Sequence, residues 1–419
     1  MTGDLAGRTL LDMTIPTITE RRRLTVVRAA GLFDGTSSTL TPKPMVVLDG
    51  GKILAVEPAG IPPAGSDVLD LPGATLLPGL VDTHVHLAFD ASTDVVGRLA
   101  GRDDATVLAM MADAAQAALG GGVTTVRDLG DRNYLSLRLR DGGPAGTMAG
   151  PLPTIVPAGP PITTPGGHCH YLGGAATGVD EIRAAVREHA DRGVEVIKIM
   201  ASGGNLTPGT HPELAQFSDE ELRVAVDEAH RYSLPITAHA HGTPAIAAAV
   251  AAGVDGLEHV SFFTPDGVDI APEHIVRSIV DRRVVLGATA GIAPVPGAGL
   301  PSAMASRLPR MIANFRRLQE AGASIVVGSD SGIGPMKPHD AVRHSVRQLT
   351  EIGMSPADAL VTITSKGAAV CGLGHRKGRV APGFDADLLA VEGNPLADPD
   401  ALHRIRAVFV GGILVPRAV

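Results

Sequence analysis

The feature that most limits what this chain can fold into is a repeat of short apolar runs separated by helical stretches. Eight runs have the character of strands: Gly79–His86, Val123–Asp128, Thr154–Pro157, Val194–Met200, Pro235–His239, Gly256–Val260, Val284–Ala288 and Ser324–Gly328. Between them, Asp104–Leu119, Val179–Arg192, Asp219–Tyr232, Pro244–Ala252 and Ala303–Ala321 carry the period of amphipathic helices. Strands that are apolar nearly throughout belong to a parallel sheet covered on both faces. Eight βα units in roughly 250 residues predict an α/β chain with a closed (β/α)8 barrel. An open doubly wound sheet is the alternative, but no GxGxxG turn follows the first strand.

The chain ends read differently. Leu24–Ala29, Met45–Leu48 and Lys52–Val56 are β-rich, with Asp49-Gly50-Gly51 as a turn. Ala386–Val391, Ala407–Val410 and Ile413–Val415 repeat the pattern around Gly411-Gly412. We therefore expect a β-sandwich composed of residues 1–76 and 378–419, enclosing a barrel of residues 77–377. Aromatic residues are 3% of the chain and Trp is absent, so the core must be built from Ala, Val, Ile and Leu. A net charge of −8 argues against a nucleic-acid surface. With only Cys169 and Cys371 there is no disulfide framework, which fits a reducing compartment. Neither a secretory leader nor an apolar stretch of the roughly 20 residues needed to span a bilayer is present, so a cytoplasmic location is expected.

Histidines mark the chemistry. His84 and His86 end the first predicted strand, His239 the fifth and His259 the sixth, while Asp330 follows the eighth. In a parallel barrel those ends share one face. Alternation along a strand sends His84 and His86 to the same side, with Val85 turned away. Taken alone the pair is as well read as two polar residues at a strand end. Lys198 interrupts an apolar run, Val196 to Met200, where an unpartnered ammonium is costly. It admits three readings: an ion pair with a carboxylate, a Schiff-base nucleophile, or a carbamate formed with carbon dioxide that bridges two cations. Four histidines and an aspartate around it favour the bridge, and the N/O donor set suits Zn, Mn, Co or Fe.

Leu77-Pro78-Gly79-Leu80-Val81-Asp82-Thr83-His84-Val85-His86 resembles the first-strand signature of the amidohydrolase superfamily. Gly378 to Leu388 resembles its return into the small domain, and Gly328-Ser329-Asp330-Ser331-Gly332 its eighth-strand aspartate motif. The chain is most similar to the imidazolonepropionase-like branch, in particular its prolidase-like dipeptidases. Lys198 stands where the two-metal members carry their bridging lysine, which makes imidazolone ring opening the poorer match. The resemblance implies two divalent ions, zinc first among them. His84, His86 and Asp330 would hold one, His239 and His259 the other, with carboxylated Lys198 between them. It also implies a homo-oligomer acting on a small molecule.

Such a site would cleave an amide, as in a dipeptide or N-acyl amino acid, by hydroxide from a shared water. Asp330 would act as general base and then acid. Lactones, carbamates, ureas and organophosphate esters remain open, as does a lyase using Lys198. Gly166-Gly167-His168-Cys169-His170-Tyr171 is the expected substrate loop, with His168 placed ahead of His170 as an oxyanion donor and Tyr171 as a grip for a substrate carboxylate. His241 and His339 are further candidates for the pocket. Glycine- and proline-rich loops at 292–302 and 333–340 are expected to shape it. His189, His230, His344 and His403 are read as solvated, Arg21-Arg22-Arg23 as a solvated basic face, and Cys169 as a packing residue.

Overall fold

The computed structural model describes residues 23–143, 150–297, 299 and 302–416. Arg21 and Arg22, and part of the 292–302 loop, lie outside them. All eight predicted parallel strands are present, in two sheets. Leu80–Val85, Val123–Asp128 and Thr154–Pro157 form one. Ile197–Met200, Ile236–Gly242, Gly256–Thr264, Val285–Ala288 and Ile325–Val327 are the parallel strands of the other, in chain order, and the two-residue strand Gly267–Val268 pairs antiparallel with Gly256–Thr264.

Backbone hydrogen bonds join the two sheets at both seams. At one, the Ile162 amide donates to the Lys198 carbonyl (2.8 Å) and the Met200 amide to the Ile162 carbonyl (2.8 Å). At the other, the Asp330 amide donates to the His84 carbonyl (2.8 Å) and the His86 amide to the Ser331 carbonyl (3.0 Å). The second seam bears directly on function, because the backbone that knits the first and last strands together carries three candidate ligands. Close approach there requires glycine: a Cβ on Gly328 would lie 2.2 Å from the Cβ of His84.

Helices cover the strands as the periodicity predicts, over Asp104–Gly120, Gly178–Arg192, Asp219–Arg231, Thr243–Ala252 and Ser302–Glu320. Asp219–Arg231 shows why such a segment is helical. Ser218 and Glu221 form a reciprocal capping box, three acidic residues occupy the first turn, and Leu222, Ala225, Val226 and Ala229 are buried on one side. The fourth strand begins at Ile197 rather than Val194. Val194 and Glu195 are spent instead on hydrogen bonds to the end of the preceding helix and to Pro157.

The two chain ends meet in one hydrogen-bonded sheet of eight strands. Its longest member, Asp67–Pro78, was not anticipated from the sequence. It runs parallel to Thr25–Leu32, and its second half pairs antiparallel with Leu388–Glu392. Gly73, at φ +79°, precedes the stretch where that second pairing begins. Leu388 and Ala390 pack inside this sheet with Val27, Leu76 and Phe409, whereas Leu389 and Val391 pack with Leu80, Val107 and Met111 of the central α/β region. Period-2 alternation thus buries both faces of one strand, and the terminal sheet is welded to the site's first strand through Leu77–Leu80. Among the described residues no helix is long and apolar enough to cross a membrane.

Replacing Gly328 with Ala should force the last strand away from the first. Overpacking of this kind costs about 1–3 kcal/mol, so a lower denaturation midpoint is expected, and an unchanged midpoint would show that the seam tolerates the methyl.

Candidate metal centre

The site is built where the parallel strands end. His84 and His86 are both buried, and both aim Nε2 at the same oxygen: Asp330 Oδ1 lies 3.5 Å from His84 and 3.4 Å from His86. His239, His241 and His259 gather beside them. Ring centroids are 4.6 Å apart for His239–His259, 4.4 Å for His241–His259 and 5.2 Å for His84–His259. Two groups bring one ligand atom per residue within 4.8 Å of one another: His84, His259 and Asp330, and His239, His241 and His259. Compared with the ligand sets expected from the sequence, His259 belongs to both groups, and His241 stands among the ligand atoms themselves.

Hydrogen bonds to acceptor-only partners decide which ring nitrogen keeps a lone pair. His84 Nδ1 donates to Glu258 Oε2 (3.0 Å) and His86 Nδ1 to the Gly130 carbonyl (3.2 Å), so that Nε2 is the edge each ring turns towards Asp330. His239 donates in the opposite sense, from Nε2 to the Gly203 carbonyl (3.0 Å), which frees Nδ1. Such outer partners orient ligating imidazoles and fix their tautomers. Burial also keeps the rings neutral, with proximity to other positive groups adding to it. His84 is pushed down to about 4 by burial and then by Lys198, against the pull of Asp330 and Glu258. His239 and His259 are lowered well below the ordinary histidine value by burial and by their histidine neighbours. Burial alone would raise the Asp330 carboxyl, but His84 and His86 beside it hold it well below the usual range.

Lys198 is almost completely buried, and its Nζ has no hydrogen-bond partner. Burial lowers it to about 8, although Glu258 and Asp330 favour its charged form. An amine that is buried, unpartnered and eased towards neutrality is suited to capturing carbon dioxide.

Two residues at the heart of the site were missed from the sequence. Glu258 is buried and takes three donors: His84, Thr237 Oγ1 (2.8 Å to Oε1) and Arg127 (3.0 Å to Oε1). Arg127, also buried, sends Nε to the Thr83 carbonyl (2.7 Å). The signal was the one used for Lys198, a charge inside an apolar strand. Glu258 was overlooked because strict alternation would set it opposite His259. The structure breaks that alternation: His259 has φ +72° and Val260 φ +51°. Left-handed backbone costs a non-glycine residue about 1–2 kcal/mol. Here it brings neighbouring Glu258 and His259 to the same cluster.

In the expected substrate loop, buried His168 lies with its ring 4.7 Å from that of His239, and its Nδ1 is bonded to Thr207 Oγ1 (3.1 Å). His170 is exposed, its Nδ1 turned back to the Gly167 carbonyl. The Tyr171 hydroxyl donates to Cys169 Sγ (3.6 Å), so the proposed carboxylate grip faces a buried thiol instead. His339 donates to the Phe89 carbonyl (3.0 Å). His189 is not solvated. It is buried at the i+7 position after Ile182 and bonds to the Ala185 and Pro160 carbonyls (both 2.7 Å). His344 and His403 are half-buried, their rings 4.3 Å apart and tilted by 40°, and of these four only His230 matches the exposed reading, paired with Asp255.

Comparison with known proteins follows this geometry. The amidohydrolase family model matches residues 75–415. An ochratoxinase from Aspergillus niger is 29% identical, covering 93% of this chain and 85% of its own length. Among solved structures, a Xaa-Pro dipeptidase with methionine bound in its active site superposes with a TM-score of 0.81 at 27% identity, over 93% of this chain and 99% of that one. A prolidase complexed with N-methylphosphonate-L-proline gives 0.80 at 27%, over 94% and 100%.

The neutral rings have a consequence for stability. A histidine held at about 4, as His84 and His168 are, has a folded pKa below its unfolded value of 6.5, so its contribution is complete above 6.5 and lost as pH falls towards 4. Buried Asp82, pushed up to about 6, Asp131, pushed up to about 7, and Asp128, also raised, oppose this, but the lowered histidines outnumber them, since His239, His241 and His259 join His84 and His168. Denaturant midpoints of the metal-free chain should therefore drop steeply between pH 6.5 and 4. A flat profile would mean that the rings are not buried as described.

Proposed function

Because this chain belongs to the amidohydrolase family, and so is a hydrolase like its C–N-cleaving relatives, we propose that it is a two-metal enzyme that hydrolyses a peptide-like amide such as a dipeptide or N-acyl amino acid. The observation that carries this reading is that the buried, unpartnered amine of Lys198 interacts electrostatically with His84, His239, His259 and Asp330, which cluster at the strand ends with His86. His84, His86 and Asp330 would hold one divalent ion and His239 and His259 the other, with His241 within reach of the second. Carboxylated Lys198 would lie between them. Zinc is the metal favoured by this mixed imidazole and carboxylate set, with Mn, Co or Fe as substitutes. Ions bound there would supply a water acidified enough to attack at neutral pH and would polarise a carbonyl oxygen. The two seams support reading the parallel strands as one closed (β/α)8 barrel with the site at its mouth, and the terminal strands as its companion β-sandwich.

The chain's own residues would do the rest. Asp330 is anionic and reachable by both His84 and His86, so it is placed to accept the attacking water's proton and return it to the departing amine. His168 keeps its Nε2 edge for the site while Thr207 holds Nδ1, which suits it to steady the developing oxyanion. Glu258 and Arg127 lock His84 from behind. Lactones, carbamates, ureas and organophosphate esters fit the same attack and are the competing substrates. A Schiff-base lyase has one observation in its favour, the lowered pKa of Lys198. Borohydride trapping with a carbonyl compound separates it from the hydrolase.

Three measurements test the proposal. Protein produced with zinc or manganese and bicarbonate should turn over members of a dipeptide and N-acyl amino acid panel, and a chelator should abolish that turnover. No turnover on amides, with activity on lactones or phosphotriesters, would overturn the amide assignment. Asp330→Asn should lower kcat by about 100-fold or more, within the range of a lost general base, and change KM far less. A variant in which only KM rises would remove the proton-transfer role. Metal analysis should find two ions per chain in the parent and fewer in Lys198→Ala, with equal occupancy in both counting against the bridge.

A further inference from the structure

One cation near the site has no role in the chemistry above. His241 is flanked on one side by His259 (4.4 Å, 19° between ring planes) and on the other by Phe263 (5.0 Å, 3°). The guanidinium of Arg307 lies over the Phe263 ring, 4.6 Å from its centroid. Guanidinium, Phe263, His241 and His259 thus form a column whose inner end is a candidate metal ligand and whose outer end is a positive charge. Phe263 is 1% exposed, so the column has a rigid middle. Arg307 itself is half-buried on the helix Ser302–Glu320.

No carboxylate among the described residues lies within ion-pair distance of Arg307. A half-buried guanidinium stacked on an aromatic face keeps its edge N–H groups directed outward, and they match an oxyanion in bidentate fashion. Arg307 acts electrostatically on His241, which places its field inside the site. The rival for this task, Tyr171, has its hydroxyl turned to Cys169.

We propose that Arg307, seated on Phe263, is the anchor for an anionic group of the substrate, so that the enzyme selects amides bearing a free carboxylate on the part of the molecule lying along the His241–Phe263 column. This rests on the amide-hydrolase reading and deepens it by naming the residue that selects for the carboxylate such substrates carry. Arg307 is a specificity residue and takes no part in proton transfer.

The test compares N-acetyl-L-phenylalanine with its neutral carboxamide on the metal-loaded enzyme, by calorimetric binding and by steady-state hydrolysis. The unaltered protein should bind the acid at least ~10-fold more tightly than the carboxamide, the size of one charge-assisted contact. Arg307→Met should collapse that ratio towards one, and Arg307→Lys should restore part of it. Discrimination that survives in Arg307→Met, or its absence from the unaltered protein, overturns the proposal, and so does failure to bind either compound. Discrimination in binding without turnover would leave the Arg307 assignment standing and sink the amide-hydrolase reading, so the two failures are told apart.

Discussion

Glu258 is the point on which the site depends. A carboxylate that is 1% exposed would be untenable alone, yet it is surrounded by Arg127, Thr237 and the Nδ1 proton of His84. Burial works against the anion, but His84 and Arg127 outweigh it and hold its pKa far below the usual carboxylate range. Removing one partner of a buried pair costs about 3–5 kcal/mol, because the other charge is left uncompensated. The arrangement therefore does two things. It ties the second strand, through Arg127, to the sixth strand and the first, and it dictates which edge of His84 faces the ligand cluster.

The rest of the centre is arranged around that anchor. Three rings point their lone pairs inward because their other nitrogens face acceptors that cannot donate. Strained backbone at His259, Val260 and Asp330 persists because the sheets on either side over-determine it. Gly328 allows the last strand to lie against His84, and the Asp330 amide closes the seam on the His84 carbonyl. Stability and preparation for metal are thus the same set of contacts. The same burial that leaves the imidazoles neutral makes them ready ligands at physiological pH.

On the proposed reading, substrate selection is separable from this machinery. The candidate metal ligands come from strand ends and are held by buried hydrogen bonds. Arg307 sits further along, on the helix Ser302–Glu320, where its guanidinium lies over Phe263 rather than against a candidate donor. Family relatives with different substrates are what such a division permits, since a fixed attacking site can serve several leaving groups.

Much of this was legible in the chain. The period-2 and 3.6 patterns located all eight parallel strands and the main helices, because burial on both faces leaves a near-continuous apolar record. His84, His86, Lys198, His239, His259 and Asp330 could be named because polar residues at the ends of apolar strands stand out. The sequence could not show that Asp67–Pro78 is one long strand, since its partners come from both chain ends. Nor could it show that Glu258 shares a cluster with His259, because a left-handed residue overrides alternation and leaves no trace in residue type. The partners of Tyr171, His170 and His189 were likewise beyond reach. Side-chain direction in a loop, and the burial of a histidine on a helix, depend on what packs against them. Local chemistry determined which groups were available, and only the tertiary structure decided which of them face one another.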